Sequence, residues 1–281
     1  MSTTTLRRAL KTFVVVASAV AAFADGPRYL NRLETTYDSV EYVAAADFTG
    51  DGQLDLLALG DGSYASMLLP GNGDGTFGTL MWIFEGSNNS PKIAIADLNN
   101  DGFLDVAMPH KGPTTGSLFI GLGHGDGSFE NPFGYSLGSN PDSVVTGDFN
   151  GDSIPDLAVA CAADIAVLLG VGDGTFSAAV HFDGGTSPVS IVTGYLDADN
   201  ALDLAVVHTE SDRVSVLFGA GDGTFSTRVE YPVGNWPVAV AAADMNNDAV
   251  IDLIVANYDD DAVSVLPGFG NGTFGVGTSI P

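Results

Sequence analysis

Five nine-residue acidic segments hold the side chains of this chain best suited to chemistry. The first two run Asp47-Phe-Thr-Gly-Asp51-Gly-Gln-Leu-Asp55 and Asp97-Leu-Asn-Asn-Asp101-Gly-Phe-Leu-Asp105. The others are Asp148-Phe-Asn-Gly-Asp152-Ser-Ile-Pro-Asp156, Tyr195-Leu-Asp-Ala-Asp199-Asn-Ala-Leu-Asp203 and Asp244-Met-Asn-Asn-Asp248-Ala-Val-Ile-Asp252. Alternate residues of such a segment can aim oxygens at one centre, side chains from positions 1, 3, 5 and 9 and a backbone carbonyl from position 7. A glycine at position 6 eases the sharp turn. With no Cys or His among the donors, the set suits a hard dication, calcium, and not zinc or copper.

The candidate ligands are then Asp47, Thr49, Asp51, Gln53 and Asp55 in the first segment, and Asp97, Asn99, Asp101, Phe103 and Asp105 in the second. The third offers Asp148, Asn150, Asp152, Ile154 and Asp156; the fourth Asp197, Asp199 and Asp203; the fifth Asp244, Asn246, Asp248, Val250 and Asp252. About four to five ions are expected, strongest at 97–105 and weakest at 195–203. Tyr195 removes the first carboxylate there, and Asn200 replaces the glycine. Ala249 in the fifth segment costs about 1 kcal/mol if its position is left-handed. An EF-hand is excluded: position 12 is Ala58, Met108, Val159 or Val255, where a bidentate Glu would stand.

The segments recur about fifty residues apart, a period that marks a repeat architecture. In phase with them runs a glycine-rich turn: Gly73-Asp-Gly-Thr-Phe77, Gly125-Asp-Gly-Ser-Phe129, Gly172-Asp-Gly-Thr-Phe176, Gly221-Asp-Gly-Thr-Phe225 and Gly270-Asn-Gly-Thr-Phe274. Small-residue strands such as 238–243 precede the acidic segments and apolar strands such as 157–160 follow. A third strand (165–169, 214–218) then enters the turn, and a fourth leaves it. Asp-Gly reads as a type I′ turn with both central residues at positive φ. Four strands per repeat and no helical periodicity give an all-β β-propeller of about five four-stranded blades. Ala-rich first strands fit the crowded axis.

Net charge is −26, with 9 Lys plus Arg against 35 Asp plus Glu, which excludes nucleic acid as a partner. Arg7, Arg8 and Lys11 precede a short apolar run that ends Ala22-Phe23-Ala24, the pattern of a signal peptide over 1–24. The propeller then occupies 25–281, with repeats starting near 37, 88, 140, 187 and 235, and the protein is expected to be secreted without stable membrane insertion. Cys161 is the only cysteine, so no disulfide within the chain can staple the fold. At millimolar calcium, sites of about 0.1–1 mM affinity contribute roughly 0.4–1.4 kcal/mol each.

The acidic loop, the apolar strand and the G-x-G-D-G-T-F turn together resemble FG-GAP/VCBS repeats such as those of integrin α-subunit head domains. The resemblance spans about 37–274. It implies a propeller with calcium between the first and second strands of each blade, and ligands on the opposite face. Integrin heads have seven blades, whereas five acidic loops are present here. By strand connectivity the opposite face carries Tyr64, His110, Tyr135, His208, Arg213, Trp236 and Tyr258 as candidate ligand-binding residues. No nucleophile motif, phosphate loop or dinucleotide fingerprint appears. A non-enzymatic adhesion or recognition module for a protein or glycan is expected. A lectin and a self-associating calcium-dependent structural protein are the alternatives. Residues 28–35 stand where a fourth strand would, and are expected to complete the last blade and close the ring.

Overall fold

The computed structural model describes residues 40–60, 65–85, 92–112 and 115–280. These form five four-stranded antiparallel sheets, the blades of a β-propeller. Blade 1 holds β1 (Val40–Ala46), β2 (Asp55–Gly60), β3 (Ala65–Leu69) and β4 (Met81–Glu85). Blade 2 holds β5 (Ala94–Ala96), β6 (Asp105–His110), β7 (Ser117–Gly121) and β8 (Phe133–Ser136). Blade 3 holds β9 (Pro141–Gly147), β10 (Asp156–Cys161), β11 (Asp164–Leu168) and β12 (Val180–Phe182). Blade 4 holds β13 (Pro188–Gly194), β14 (Asp203–His208), β15 (Arg213–Leu217) and β16 (Val229–Pro232). Blade 5 holds β17 (Pro237–Ala243), β18 (Asp252–Asn257), β19 (Ala262–Leu266) and β20 (Thr278–Ile280). The putting together of strands in chain order within each blade matches the sequence expectation. The signal-peptide and 28–35 expectations lie outside the described residues.

The second strands show why they are apolar throughout. Along β10, Leu157, Val159 and Cys161 pack toward blade 2, while Ala158 and Ala160 pack toward blade 4. Alternation puts successive side chains on opposite faces, and here both faces are buried between blades. The turn phenylalanines fill the same junctions. Phe129 packs against blade 1, Phe176 against blade 2, Phe225 against blade 3 and Phe274 against blade 4. Phe48 and Phe149, second residues of their acidic loops, meet Phe129 and Phe225 at ring separations of 6.1 and 5.5 Å.

Two expectations change. The fourth strand of blade 5 is β20, supplied by the last residues of the chain, so 28–35 is not needed to complete that blade. Nor is the glycine-rich turn of type I′. Left-handed φ falls on the two glycines around the Asp, as at Gly73 (φ 73°) and Gly75 (φ 85°), and not on the Asp itself. The Asp74 carboxylate instead accepts the Thr76 N–H (2.9 Å) and hydroxyl (2.6 Å), an Asx turn that holds Asp74 at negative φ.

Lys92 ties the blades across the axis. Beside the inner strand of blade 2, its ammonium donates to the Val189 carbonyl of blade 4 (3.4 Å) and the Val238 carbonyl of blade 5 (3.0 Å). Burial pushes its pKa down to about 8, opposed by the charge of Asp142, which itself pairs with Lys111. A folded-state pKa below the unfolded value means the unfolded chain binds more protons between the two. Stability therefore rises with pH across that window. Relative to Lys92→Met, the wild-type chain is expected to gain on the order of 1–3 kcal/mol between pH 7 and pH 10.5. Denaturant unfolding at the two pH values measures it; an unchanged difference would refute the assignment.

Candidate metal centre and recognition face

The ninth residue of each acidic loop anchors the site. Asp55, Asp105, Asp156, Asp203 and Asp252 are buried. One oxygen of each accepts the N–H of loop residue 2: Phe48 (2.7 Å), Leu98 (2.7 Å), Phe149 (2.9 Å), Leu196 (2.7 Å) and Met245 (3.0 Å). The other accepts a glycine N–H at the end of the third strand: Gly71, Gly123, Gly170 (each 2.7 Å), Gly219 (2.9 Å) and Gly268 (2.8 Å). These residues were expected as ligands; the structure gives each a second task, stapling the acidic loop to the glycine-rich turn. A carboxylate has about four acceptor sites, so two remain for a cation at Asp105, Asp156 and Asp252; Asp55 and Asp203 also accept the N–H of loop residue 3, Thr49 (3.0 Å) and Asp197 (3.2 Å), which leaves one.

In four loops the first Asp shapes the backbone. Asp97 accepts the N–H of Asp101 (3.1 Å) and Gly102 (2.9 Å), and Asp47, Asp148 and Asp244 accept the equivalent pair. Asn99 and Asn150 donate to Asp101 and Asp152 across the loop. These loops carry left-handed residues at positions 4 and 6, among them Asn100 (φ 59°), Gly102 (φ 89°) and Ala249 (φ 67°). The position-7 side chains Gln53, Phe103, Ile154 and Val250 lie over the first glycine of the turn, where a Cβ would meet them within 3.3 Å.

The fourth loop is different. Tyr195 has no carboxylate, and neither Ala198 nor Asn200 is left-handed. Asp197 accepts the N–H of Asp199 and Asp199 that of Ala201. Here one oxygen from each of Asp197, Asp199 and Asp203 lies within 4.8 Å of the other two, the only such cluster among the described residues. Burial pushes the Asp203 carboxyl up to about 6, and the charges of Asp197 and Asp199 add to it. A dication fits this set, because it offsets the repulsion with oxygen donors alone. The loop ranked weakest from its sequence is thus the one whose carboxylates converge. A cleft of about 360 Å³ beside it brings in Asp148 from the neighbouring loop.

The FG-GAP-like repeat profile matches residues 47–108, 148–206 and 196–255, more than half of the chain. The chain belongs to the FG-GAP-like repeat family. No curated protein matches its sequence. Among solved structures it is similar to an Agrocybe aegerita lectin that recognises non-reducing terminal N-acetylglucosamine, at 19% identity and a TM-score of 0.57 over 84% of this chain. It spans 65% of the lectin's length, just under two thirds. The periplasmic gluconolactonase PpgL of Pseudomonas aeruginosa matches at 16% identity and a TM-score of 0.57, covering 87% of this chain and 70% of that one. A Staphylococcus aureus virginiamycin B lyase matches at 14% identity and 0.56, covering 88% and 72%. At these identities the likeness is one of fold.

On the far face of this FG-GAP-like propeller the candidate ligand residues separate. Trp236 and Tyr258 are 48% and 55% exposed. Trp236 is left-handed (φ 54°) and clamped: its N–H donates to Asp212 (2.9 Å) and its carbonyl accepts the Tyr258 N–H (2.9 Å). Arg213 is exposed beside Glu230. His208 is buried, with one ring nitrogen against the Ser215 hydroxyl (2.7 Å) and the other against the Thr186 carbonyl (3.2 Å). Tyr135 ties blade 2 to blade 3, its hydroxyl accepting the Phe176 N–H and its ring edge-on to Phe176. His110 stacks edge-on against Phe119. Tyr64 lies outside the described residues. Sequence reading missed the acidic clamps Asp212 and Asp260, because they are joined to Asn235 and Trp236 only through the fold.

Ala249 is expected to be costly where it stands, since an L-side chain is strained at its φ of 67°. Ala249→Gly should raise stability by about 1 kcal/mol in urea unfolding. A neutral or destabilising result would show that this loop relaxes in solution.

Proposed function

We propose that this chain is a secreted calcium-binding β-propeller that recognises another macromolecule through the face opposite its acidic loops. The observation that carries this reading is the contrast between its two faces. One is built five times over from the same aspartate staple and Asx turn. The other presents an exposed Trp and Tyr on a backbone clamped by Asp212 and Asp260. A rigid scaffold with variable loops at one end suits recognition. Aromatic anchors with a polar handle suit interfaces. In this reading the chain is a binding module and not an enzyme.

Calcium would be held by the loop carboxylates, most directly Asp197, Asp199 and Asp203, with the first and fifth residues of the other loops. When bound it supplies positive charge that relieves their repulsion. The chain's own residues fix the backbone that presents them. Melting in EGTA should fall several degrees below melting in excess calcium, and magnesium should substitute poorly. Identical midpoints in both buffers would remove calcium from the account.

A glycan ligand is the favoured class, supported by the Trp236 and Tyr258 side chains, whose flat apolar faces can stack on sugar rings. The fold likeness to a lectin is consistent with it. Trp236→Ala with Tyr258→Ala should weaken binding to glycans retained on an array at least tenfold, on the order of 1.4 kcal/mol or more. The calcium-dependent melting point should not change. Equal retention by wild type and variant would place recognition elsewhere.

A further inference from the structure

Blades 4 and 5 share one strand pattern, but two polar groups that are satisfied in blade 4 are left open in blade 5. His208 closes its place in blade 4, with one ring nitrogen on the Ser215 hydroxyl and the other on the Thr186 carbonyl. The counterpart of His208 is Asn257, 3% exposed. Its amide nitrogen donates to the Ser264 hydroxyl (2.8 Å), and its amide oxygen is buried without a partner. The second group lies four residues on. Asp212 accepts the Trp236 N–H where the chain enters blade 5. Its counterpart Asp261 holds the same left-handed turn position, φ 48° against 55°. No donor among the described residues reaches the Asp261 carboxylate.

Asn257 and Asp261 line one groove of about 370 Å³. Val238, Val263 and Ile280 give it apolar surface, and Tyr258 stands beside them. The groove is open: Val214 of blade 4 is completely buried, whereas its counterpart Val263 is half-buried and Ile280 is 54% exposed. The open polar atoms of Asn257 and Asp261 are all acceptors. An acceptor shielded from water and left without a donor is unfavourable, so a ligand that brings donors binds better there than an apolar one.

Charge narrows the class of donor. Asp261 ends a run of three aspartates, Asp259 to Asp261. No Lys or Arg lines the groove, and the four described ones are engaged elsewhere. Lys92 donates to carbonyls at the axis, Lys111 pairs with Asp142, Arg213 with Glu230 and Arg228 with Asp183. Such a site favours a cation and repels a carboxylate or sulfate. An ammonium brings three donors and makes charge-assisted hydrogen bonds, stronger than those of a neutral hydroxyl. An aromatic ring such as Tyr258 adds attraction for the same charge.

Resting on the glycan reading above, we propose that this groove binds the ammonium group of an amino sugar, so that the chain recognises glycans bearing free amines. The amine donates to Asp261 and toward the open oxygen of Asn257, and the apolar face of the sugar ring lies on Val263 and Ile280. N-acetylation removes the charge and adds bulk at the same atom, and an acidic glycan is repelled.

Calorimetry with oligomers of glucosamine and of N-acetylglucosamine, matched in length, tests this. At about pH 5.5 the carboxylates are ionised and the sugar amine is charged. The wild-type chain should bind the glucosamine oligomer at least about tenfold more tightly. Asp261→Asn keeps the size and tolerates the left-handed turn, and Ile280→Arg places a cation in the groove. Each should abolish the preference and leave the melting point unchanged. Equal affinity for the two oligomers, with retention on the array still lost in the Trp236 and Tyr258 variant, would overturn this proposal and leave the glycan reading standing. Binding of a lysine-rich peptide alone would overturn it in favour of a basic protein partner. No binding of either oligomer or of any array glycan would overturn both.

Discussion

Everything in this propeller hangs on one repeated interaction: a buried carboxylate that accepts one N–H from the acidic loop and one from the end of the third strand. Each blade repeats it, at Asp55, Asp105, Asp156, Asp203 and Asp252. The bond pair fixes how the loop sits over the turn, and hence where the turn phenylalanine points. That phenylalanine is what fills the junction with the preceding blade. Charge-assisted hydrogen bonds are among the stronger local interactions, but ionised carboxylates are costly to bury. The tension is visible in Asp105, Asp156 and Asp203, whose carboxyls burial pushes upward while the two N–H groups pull down.

The same staple accounts for the constancy of one face and the freedom of the other. Loop and turn at the acidic end are tied to each other and across blades, as where the Gly127 N–H donates to Phe48 and the Gly223 N–H to Phe149. Changing one residue there disturbs a network. Among the described residues the far end shows no such shared lattice. Its loops are held differently from one blade junction to the next, by Asp212 and Asp260 near Trp236, by the Lys111–Asp142 pair between blades 2 and 3, and by the Thr209 hydroxyl on the Pro237 carbonyl between blades 4 and 5. Ties that change from junction to junction let the loops at this end differ in sequence, which is the condition a recognition surface needs.

Much of this was legible in the residues. Fifty-residue recurrence, alternating small and apolar strands and the Gly-x-Gly turn gave blade number, strand order and the sharing of faces. The left-handed position of Ala249 followed from its alignment with glycines in the first two loops. A pattern that treats each loop as an independent copy does not show how the loops differ in backbone. Tyr195 deletes the carboxylate that bends the other loops, so the backbone of 195–203 takes another path and gathers Asp197, Asp199 and Asp203 together. His208 and Tyr135 look like surface polar residues by position, yet both point into packing that a strand pattern does not reveal.

The sequence by itself determined what is local and periodic: five blades, their order, the acidic loops and the turns. Such features depend on near neighbours, and a repeat makes each one visible several times. Only the tertiary structure decided which carboxylates share a centre, which aromatics remain at the surface, and that the face of blade 5 differs from the four before it. Those depend on what the adjacent blade supplies. Blade 5 and blade 4 have nearly the same strand pattern, but Val216 is sealed and Val265 is not, because burial belongs to the pair of blades and not to either sequence.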